Sequence, residues 1–293
     1  MNYYNEIKNE LLNNEITKKV KNYSINRSDL TTYYNVGKLL KEAGKRYGEG
    51  IIKEYSKKLT NEFGKGYTMT NLKYFRQFYA FSKSHTVCDQ LTWSHYRTLL
   101  SLSDENTIEY YIKISEEQNL SVRELRTKIK NKEYERLNKK AKEKLKQREE
   151  LELPDLVKNP ILIKNTSCYN EISEKVLQKL ILEDISNFLE ELGEGFTFIK
   201  NEYKIKIGDR YNYIDLLLFN YSFNCFVVIE LKITELKKEH IGQIEFYMNY
   251  IDKNLKTISQ NKTIGIIIVR KNNKFVMEYA SDKRIIAREY ELV

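Results

Sequence analysis

The sequence reads YIDLLLF from Tyr213 to Phe219 and VVIELK from Val227 to Lys232. Runs of branched and aromatic residues predict β-strands, and the unbroken run FVVI at 226–229 predicts a central strand covered on both faces. Each run contains an acid, Asp215 in the first and Glu230 in the second. Burying a carboxylate is costly unless it is paired or binds a metal ion. These two acids are therefore the first candidates for a functional site.

A lysine accompanies the two acids. The two-residue period of a strand places Glu230 and Lys232 on one face, and Asp215 is expected beside them on a neighbouring, hairpin-connected strand. Two carboxylates suit Mg²⁺, which prefers oxygen ligands, and a nearby lysine can position water or stabilise the charge of a phosphoryl-transfer transition state. The alternative is a buried ion network without a catalytic role. We favour the functional interpretation.

The elements around these strands predict an α/β domain. A helix over 171–192 ends at Gly193, and a second helix covers 240–251. Three strands are predicted before the second helix, over 196–207, 213–220 and 224–232, and one or two strands after it, over 263–270 and 274–279. An order of helix, three strands, helix and further strands is typical of an α/β core built on a central mixed sheet.

The charge of the chain is divided unequally. Residues 1–150 contain 30 Lys and Arg and 20 Asp and Glu, a net charge of +10, whereas residues 151–293 contain 20 and 21, a net charge of −1. A basic excess predicts attraction to a polyanion, most often nucleic acid. A solvated lysine-rich surface is the alternative that remains open.

The only two prolines, Pro154 and Pro160, stand where the charge balance changes and mark a boundary. We predict a basic helical domain over 1–127, a charged helical linker or dimer arm over 128–153, and the α/β domain over 154–293. The arm is expected to be one exposed helix held by ion pairs one turn apart.

A helix-turn-helix is predicted in the basic half. Helices over 51–63 and 68–81 flank the turn Gly64-Lys65-Gly66, a spacing seen in DNA-binding pairs of helices. Many helical pairs look like this without touching DNA, so a purely structural pair is the alternative. The exposed side chains suited to phosphates and base edges are Lys65, Asn71, Lys73, Arg76 and Gln77.

Several classes of protein are excluded by composition. At 41% hydrophobic and 31% charged residues, the chain is too apolar for a disordered protein. It contains no uncharged apolar run long enough to predict a membrane span, and its first residues do not resemble a secretory signal, so we expect a cytoplasmic protein. Cys88, Cys168 and Cys225 are too widely spaced to predict a disulfide framework or zinc site.

The ordered set Asp215, Glu230-Leu231-Lys232, Gln243 and Tyr247 resembles the D, ExK and QxxxY pattern of PD-(D/E)XK nucleases. Longer segments are similar to the YhcG-like group of that family. In the C-terminal half they are GEGFTFIKNEYKIKIGDRYNYIDLLLFN, CFVVIELKI, GQIEFYMNYID and TIGIIIVR; in the N-terminal half they are GYTMTNLKYFRQFY and LTWSHYRTLLSL. The resemblance covers nearly the whole chain. It implies an all-helical, helix-turn-helix-like N-terminal domain followed by a restriction-endonuclease-like domain.

The resemblance also implies roles for residues. Asp215, Glu230 and the Leu231 carbonyl would be metal ligands, and Lys232 would position water or stabilise charge. Gln243 and Tyr247, one helical turn apart, would brace the site or contact the substrate phosphate, although core packing explains Tyr247 equally well.

Related nucleases usually add an acid from the first core helix. The apolar stripe of the predicted helix places Glu174 near its middle, Gln178 on its edge and Glu183 on the opposite side, so Glu174 is predicted to be the inward acid and a further metal ligand. The family usually has an acid at the position of Gln178, and this sequence departs there. A glutamine can still bind a metal ion or its water.

The function implied by the resemblance is that of a Mg²⁺-dependent DNA endonuclease, with Mn²⁺ as a substitute and branched or foreign DNA among the expected substrates. A homodimer is also expected, because two strands must be cut. The alternative from another class is a nuclease fold without activity that serves as a nucleic-acid-binding or assembly module. RNA is a third, weaker possibility as substrate.

Overall fold

The computed structural model describes residues 3–20, 25–84, 90–147, 149–280 and 282–293. Cys88 lies outside these residues. The chain forms two compact units, Met1–Tyr134 and Glu135–Val293. Within the described residues, no helix has the length and apolar character required to cross a membrane.

The first unit is helical. Its core includes Leu40 of the second helix and Ile52 of the third, which are fully buried together with Leu72. A Cβ atom on Gly37 would lie 2.1 Å from the Phe75 carbonyl oxygen, so the second and fourth helices approach closely only because this residue is glycine. The helices are α1 (Tyr3–Val20), α2 (Ile25–Tyr47), α3 (Gly50–Phe63), α4 (Met69–Ser84), α5 (Trp93–Leu99), α6 (Glu105–Glu117) and α7 (Val122–Lys130).

The segment after Lys128 is not one exposed helix, and that prediction is wrong. Helix α7 ends at Lys130, and Lys132 adopts a left-handed backbone with φ of 51°. A new helix, α8 (Lys139–Gln147), follows, and Ala141 within it is fully buried. The few apolar residues of this charged stretch are used for packing, which a search for an amphipathic stripe does not detect.

The second unit is built on a mixed sheet, as predicted. The sheet has six strands in the order β1-β6-β5-β4-β3-β2. Strands β2, β3 and β4 pair antiparallel, and β4, β5, β6 and β1 pair parallel. The strands are β1 (Ile161–Ile163), β2 (Phe196–Ile207), β3 (Arg210–Asn220), β4 (Cys225–Glu235), β5 (Asn261–Lys271) and β6 (Ile285–Leu292).

Helices cover both faces of this sheet. The helices that follow α8 in this unit are α9 (Leu153–Leu156), α10 (Glu174–Glu183), α11 (Ile185–Leu192), α12 (Lys238–Asn254) and α13 (Lys274–Glu278). Helices α10 and α11 pack with one face of β4 through Val227, Ile229 and Leu231, whereas α12 packs on the other face through Phe226 and Val228. The prediction of a central strand covered on both faces is confirmed.

Two predicted elements differ from the structure, and two strands were missed. The helix over 171–192 is two helices, which break at Asp184, where φ is −134° and ψ is 56°. The strand predicted over 274–279 is helix α13, because the Asn273 side chain accepts hydrogen bonds from Phe275 N and Val276 N and caps a helical turn. Strands β1 and β6 were not predicted.

A buried ion pair within the second unit predicts a measurable stability change. Both side chains of the Arg136–Glu191 pair are at least nine-tenths buried, and Glu191 also accepts a hydrogen bond from Leu162 N at 3.0 Å. Replacing Glu191 by alanine leaves the guanidinium buried without this carboxylate, so Glu191→Ala should lower the free energy of unfolding by about 3 kcal/mol in a urea titration.

The matched control is Lys140→Ala, which removes an exposed ion pair with Glu152. It should change the free energy of unfolding by less than about 1 kcal/mol. Equal effects of the two substitutions would contradict the stabilising role of the buried pair.

Candidate active site

The candidate site lies where β3 and β4 separate. Their pairing runs from Asn220↔Cys225 to Leu216↔Ile229, and Asp215 is the first residue of β3 beyond it. There the Asp215 carboxylate takes over from the backbone ladder: its Oδ2 accepts a hydrogen bond of 2.7 Å from Leu231 N. This bond fixes the carboxylate beside the Glu230–Leu231 peptide. The separation of the strands opens the space in which the acids converge.

Glu230 is held on the same side by two donors. Its Oε1 accepts hydrogen bonds from Lys232 Nζ at 2.9 Å and from Gln243 Nε2 at 2.7 Å. Gln243 Nε2 also lies 3.2 Å from Tyr247 Oη. Gln243 and Tyr247 are four residues apart along α12, which puts both side chains on the helix face that meets β4. The structure therefore brings together Asp215, Glu230, Lys232, Gln243 and Tyr247.

One carboxylate oxygen in this cluster has no partner. Glu230 is 2% exposed, and its Oε2 is buried without a hydrogen bond. Burial and the neighbouring Asp215 raise the pKa of Glu230 to about 7. A buried polar atom without a partner is unfavourable and marks a place where a ligand is missing or a function is served.

The neighbouring charges are shifted as well. Burial raises the pKa of Asp215, against the opposing effects of the Leu231 N–H group and Lys232. Burial alone would lower the pKa of Lys232, but the hydrogen bond to Glu230 and the surrounding carboxylates raise it. Lys232 is therefore a firmly charged ammonium group between acids.

Helix α10 places its two polar candidates differently from the prediction. Gln178 is buried and its Nε2 donates a 3.0 Å hydrogen bond to the Asp215 carbonyl, whereas the Glu174 side chain is 46% exposed. The prediction that Glu174 is the inward residue and Gln178 the edge residue is wrong. It assumed one continuous helix, so residues of α11 were counted in an apolar stripe to which they do not belong.

Glu174 nevertheless reaches the cluster from its rim. Its Oε2 lies 3.5 Å from Lys232 Nζ, so it competes with Glu230 for the ammonium group. Its role as a metal ligand stays a prediction.

Glu202 is a site residue that the sequence analysis missed. In β2 it lies between the pairs Asn201↔Leu216 and Tyr203↔Ile214, opposite Asp215, and its charge helps to raise the pKa of that residue. Its φ of 46° is unusual for a residue other than glycine. Backbone conformations of this kind are concentrated at functional positions. An exposed glutamate in an alternating strand carries no signal of this backbone conformation.

The donor set fits a hard divalent cation with incomplete protein coordination. Across the described residues, no three His, Cys, Asp or Glu side chains form a group that would hold a metal ion by themselves. The carboxylates of Asp215 and Glu230, which include the unpartnered Glu230 Oε2, are oxygen donors of the kind that Mg²⁺ takes together with waters.

The predicted DNA-contacting residues lie in the helical unit. Lys65, Lys73 and Gln77 are exposed, while Asn71 Nδ2 donates a 2.8 Å hydrogen bond to the Gly66 carbonyl. Arg76 is engaged by a residue that the sequence analysis did not consider: its two terminal nitrogens donate to the Glu49 carboxylate at 2.6 and 2.8 Å.

A cavity of about 320 Å³ lies on this surface. It is lined by Lys41 of α2 together with Lys73, Arg76, Gln77 and Ala80 of α4.

Comparison with known proteins matches both halves of the chain. Residues 154–293 match the YhcG PDDEXK nuclease domain, and residues 7–136 match the DUF1016 N-terminal domain. The C-terminal half belongs to the YhcG PDDEXK nuclease family. This half is therefore a nuclease domain, and the expected resemblance, the enzyme class and the fold are confirmed.

Relatives and solved structures extend this comparison. A relative from Escherichia coli (strain K12), named "Putative nuclease YhcG", is 25% identical over 92% of this chain and 84% of its own length. A repair endonuclease from Pyrococcus abyssi aligns over 41% of the chain at 20% identity with a TM-score of 0.30. The EndoMS–dsDNA2 complex aligns at 19% identity with a TM-score of 0.31. The chain spans about half the length of these two structures, at 48% and 47%.

The pKa of Glu230 predicts how stability depends on pH in the presence of a chelator. The folded-state pKa of about 7 exceeds the ordinary value of 4.5, so the folded state binds this proton more tightly. The contribution of Glu230 to the free energy of unfolding is therefore fully present below pH 4.5 and is lost as the pH rises through about 7. Glu230→Gln keeps a neutral side chain and should therefore exceed the wild type in unfolding free energy by on the order of 3 kcal/mol at pH 8.

The measurement is urea unfolding of both proteins in EDTA at pH 5 and pH 8. At pH 5 the difference between them should be small. Glu239→Gln, which alters an exposed acid on α12, is the control and should show no such dependence on pH. A difference between wild type and Glu230→Gln that does not change with pH would contradict the assignment.

Proposed function

We propose that this nuclease is a Mg²⁺-dependent DNA endonuclease, with Mn²⁺ as a substitute, that hydrolyses phosphodiester bonds at Asp215, Glu230 and Lys232. The observation that carries the proposal is the buried and unpartnered Glu230 Oε2 next to the partly buried Asp215 carboxylate and a charged lysine. Such a set is unfavourable for folding and suits a divalent cation on a phosphate substrate.

Asp215 and Glu230 would hold the cation together with the Leu231 carbonyl. When bound, the cation supplies positive charge to the phosphate and lowers the pKa of water. Each protein group has a task that follows from its contacts. Gln243 occupies Glu230 Oε1 and thereby leaves Oε2 directed to the ligand, and Tyr247 holds Gln243 in place.

Lys232 supplies a charge that no proton equilibrium near neutral pH removes, since its pKa is raised. An ammonium group at this position stabilises charge that develops on phosphate oxygens and orients water by hydrogen bonding. Gln178 holds the Asp215 main chain through its carbonyl and stands where the family has an acid. Its neutral amide leaves the carboxylates without a further negative neighbour at that point.

Substitution of the proposed catalytic residues tests the enzyme. Asp215→Ala and Lys232→Ala should each reduce the rate of plasmid and linear DNA cleavage in Mg²⁺ by at least about 100-fold, because the first removes a ligand of the cation and the second removes a positive charge that stabilises the transition state. Glu183→Ala, an acid at the other end of α10, is the matched control and should retain activity. Equal cleavage by wild type and Asp215→Ala would reveal a contaminating nuclease.

Metal binding separates the enzyme from an inactive nuclease fold. Mn²⁺ titrated into the wild type should bind at a site detectable by isothermal titration calorimetry, and Glu230→Ala should abolish that site because it removes the unpartnered oxygen. DNA binding that is indifferent to metal, combined with no Mn²⁺ site in the wild type, would favour a binding module.

We further propose that the helical unit binds DNA through Lys65, Asn71, Lys73, Arg76 and Gln77. Lys41 extends this basic surface, because it lines the same cavity as Lys73 and Arg76. The Glu49 carboxylate occupies Arg76 with the two-pronged geometry that a phosphate would take. DNA therefore has to displace the exposed Glu49 carboxylate before the two terminal nitrogens of Arg76 can bind a phosphate.

The competition between Glu49 and DNA predicts opposite effects of two substitutions. Glu49→Gln weakens the hold on Arg76 and should tighten binding of a DNA duplex, whereas Arg76→Ala should weaken it several-fold and reduce the salt dependence. Fluorescence anisotropy over a range of salt concentrations measures both. Unchanged affinity in Arg76→Ala would contradict a DNA contact at this residue.

A homodimer and a cytoplasmic location stay predictions.

A further inference from the structure

The β2–β3 hairpin continues beyond the point where β4 leaves it. Its distal half pairs Tyr203–Ile207 with Arg210–Ile214 and turns at residues 208–209. Two cross-strand pairs, Lys206↔Tyr211 and Lys204↔Tyr213, occupy its outer side. We call these four side chains the hairpin face. None of them is among the proposed catalytic residues or the proposed DNA-contacting residues of the helical unit.

The hairpin face lies on the same strand as a residue of the candidate active site. Tyr211 and Tyr213 precede Asp215 in β3. At a rise of about 3.3 Å per residue, Tyr213 lies about 7 Å and Tyr211 about 13 Å from Asp215 along the strand. A nucleic acid strand that follows β3 away from Asp215 would therefore pass these rings.

The hairpin does not need these rings for its own core. Its opposite side buries Ile205 and Ile214, which are 1% and 0% exposed, in the cluster that contains α12. Tyr211 and Tyr213 remain 52% and 50% exposed. Half of each aromatic side chain is therefore open to a ligand while the hairpin stays anchored from behind.

The chemistry of the face matches a nucleic acid strand. Lys204 Nζ lies 3.8 Å from the centre of the Tyr211 ring, so a cation and an aromatic surface are presented together. Exposed rings stack on nucleobases of any sequence, and lysines beside them bind the phosphates. Stacking of this kind requires bases that are not already stacked between their neighbours in a duplex.

We propose that the hairpin face binds unpaired nucleotides next to the phosphodiester that is cleaved, with successive bases on Tyr213 and Tyr211 and the phosphates at Lys204 and Lys206. The substrate class is then DNA with a single-stranded segment at the cleavage point, rather than uniform duplex. This inference rests on the proposed nuclease function and specifies its substrate.

The test compares substitutions at the two tyrosines. Tyr211→Ala/Tyr213→Ala should weaken binding of a short single-stranded oligonucleotide at least tenfold, because two stacking surfaces are lost. Tyr211→Phe/Tyr213→Phe keeps the rings and should bind like the parent. Tyr221→Ala removes a tyrosine that is 63% exposed at the opposite end of β3 and is the matched control. Anisotropy is measured in EDTA, so that no strand is cut.

All four proteins carry Lys73→Ala/Arg76→Ala, which removes two of the five contacts proposed for the helical unit and weakens the background binding there. Thermal unfolding shows whether each variant is folded. A second measurement locates the contact directly: an oligonucleotide containing 5-iododeoxyuridine, irradiated on the folded protein, should cross-link to the peptide that contains Tyr211 and Tyr213.

The outcomes are distinguishable. Loss of single-strand affinity in the alanine variant, retention in the phenylalanine variant and unchanged duplex affinity support the proposal. Wild-type affinity in the alanine variant, or equal loss for single strand and duplex, overturns it while leaving the nuclease function intact. Failure of the unsubstituted protein to cut any DNA with Mg²⁺ or Mn²⁺ would instead refute the proposed function.

Discussion

One hydrogen bond, from Leu231 N to Asp215 Oδ2, joins the two strands where their ladder ends. A backbone N–H group at a sheet position has to find an acceptor, and here the acceptor is a carboxylate rather than a neighbouring carbonyl. The bond gives the Leu231 N–H group an acceptor and also fixes the orientation of the Asp215 carboxylate. The opening between β3 and β4 begins at this bond, and Gln178 donates a hydrogen bond to the carbonyl of the same Asp215.

The cluster at this opening is held against its own electrostatic cost. The buried Glu230 and the partly buried Asp215 have raised pKa values and oppose folding at neutral pH, so the surrounding core has to hold them together. The apolar residues of β4 are buried on both faces and provide that support, with Ile229 and Leu231 fully buried on either side of Glu230. A rigid strand thus holds the carboxylate in place without allowing it to relax toward water.

Much of this was readable from the sequence because it depends on local pattern. The strand and helix order and the acids within apolar runs follow from periodicity, and the family resemblance added the roles of Lys232 and Gln243. Other features could not be read. The break at Asp184 misled the assignment of Glu174 and Gln178, and the left-handed backbone of Glu202 has no sequence signature. The pairing of Glu49 with Arg76 joins residues 27 positions apart.

The sequence by itself determined which residues carry charge within the apolar strands and that Asp215, Glu230 and Lys232 would converge. Strand periodicity and the cost of burying a carboxylate are properties of local sequence. Only the tertiary structure decided which carboxylate oxygen lacks a partner, which side chain of α10 turns inward, and that two tyrosines of β3 near Asp215 are exposed. Those outcomes depend on where helices break and strands separate, and packing between residues distant in sequence sets both.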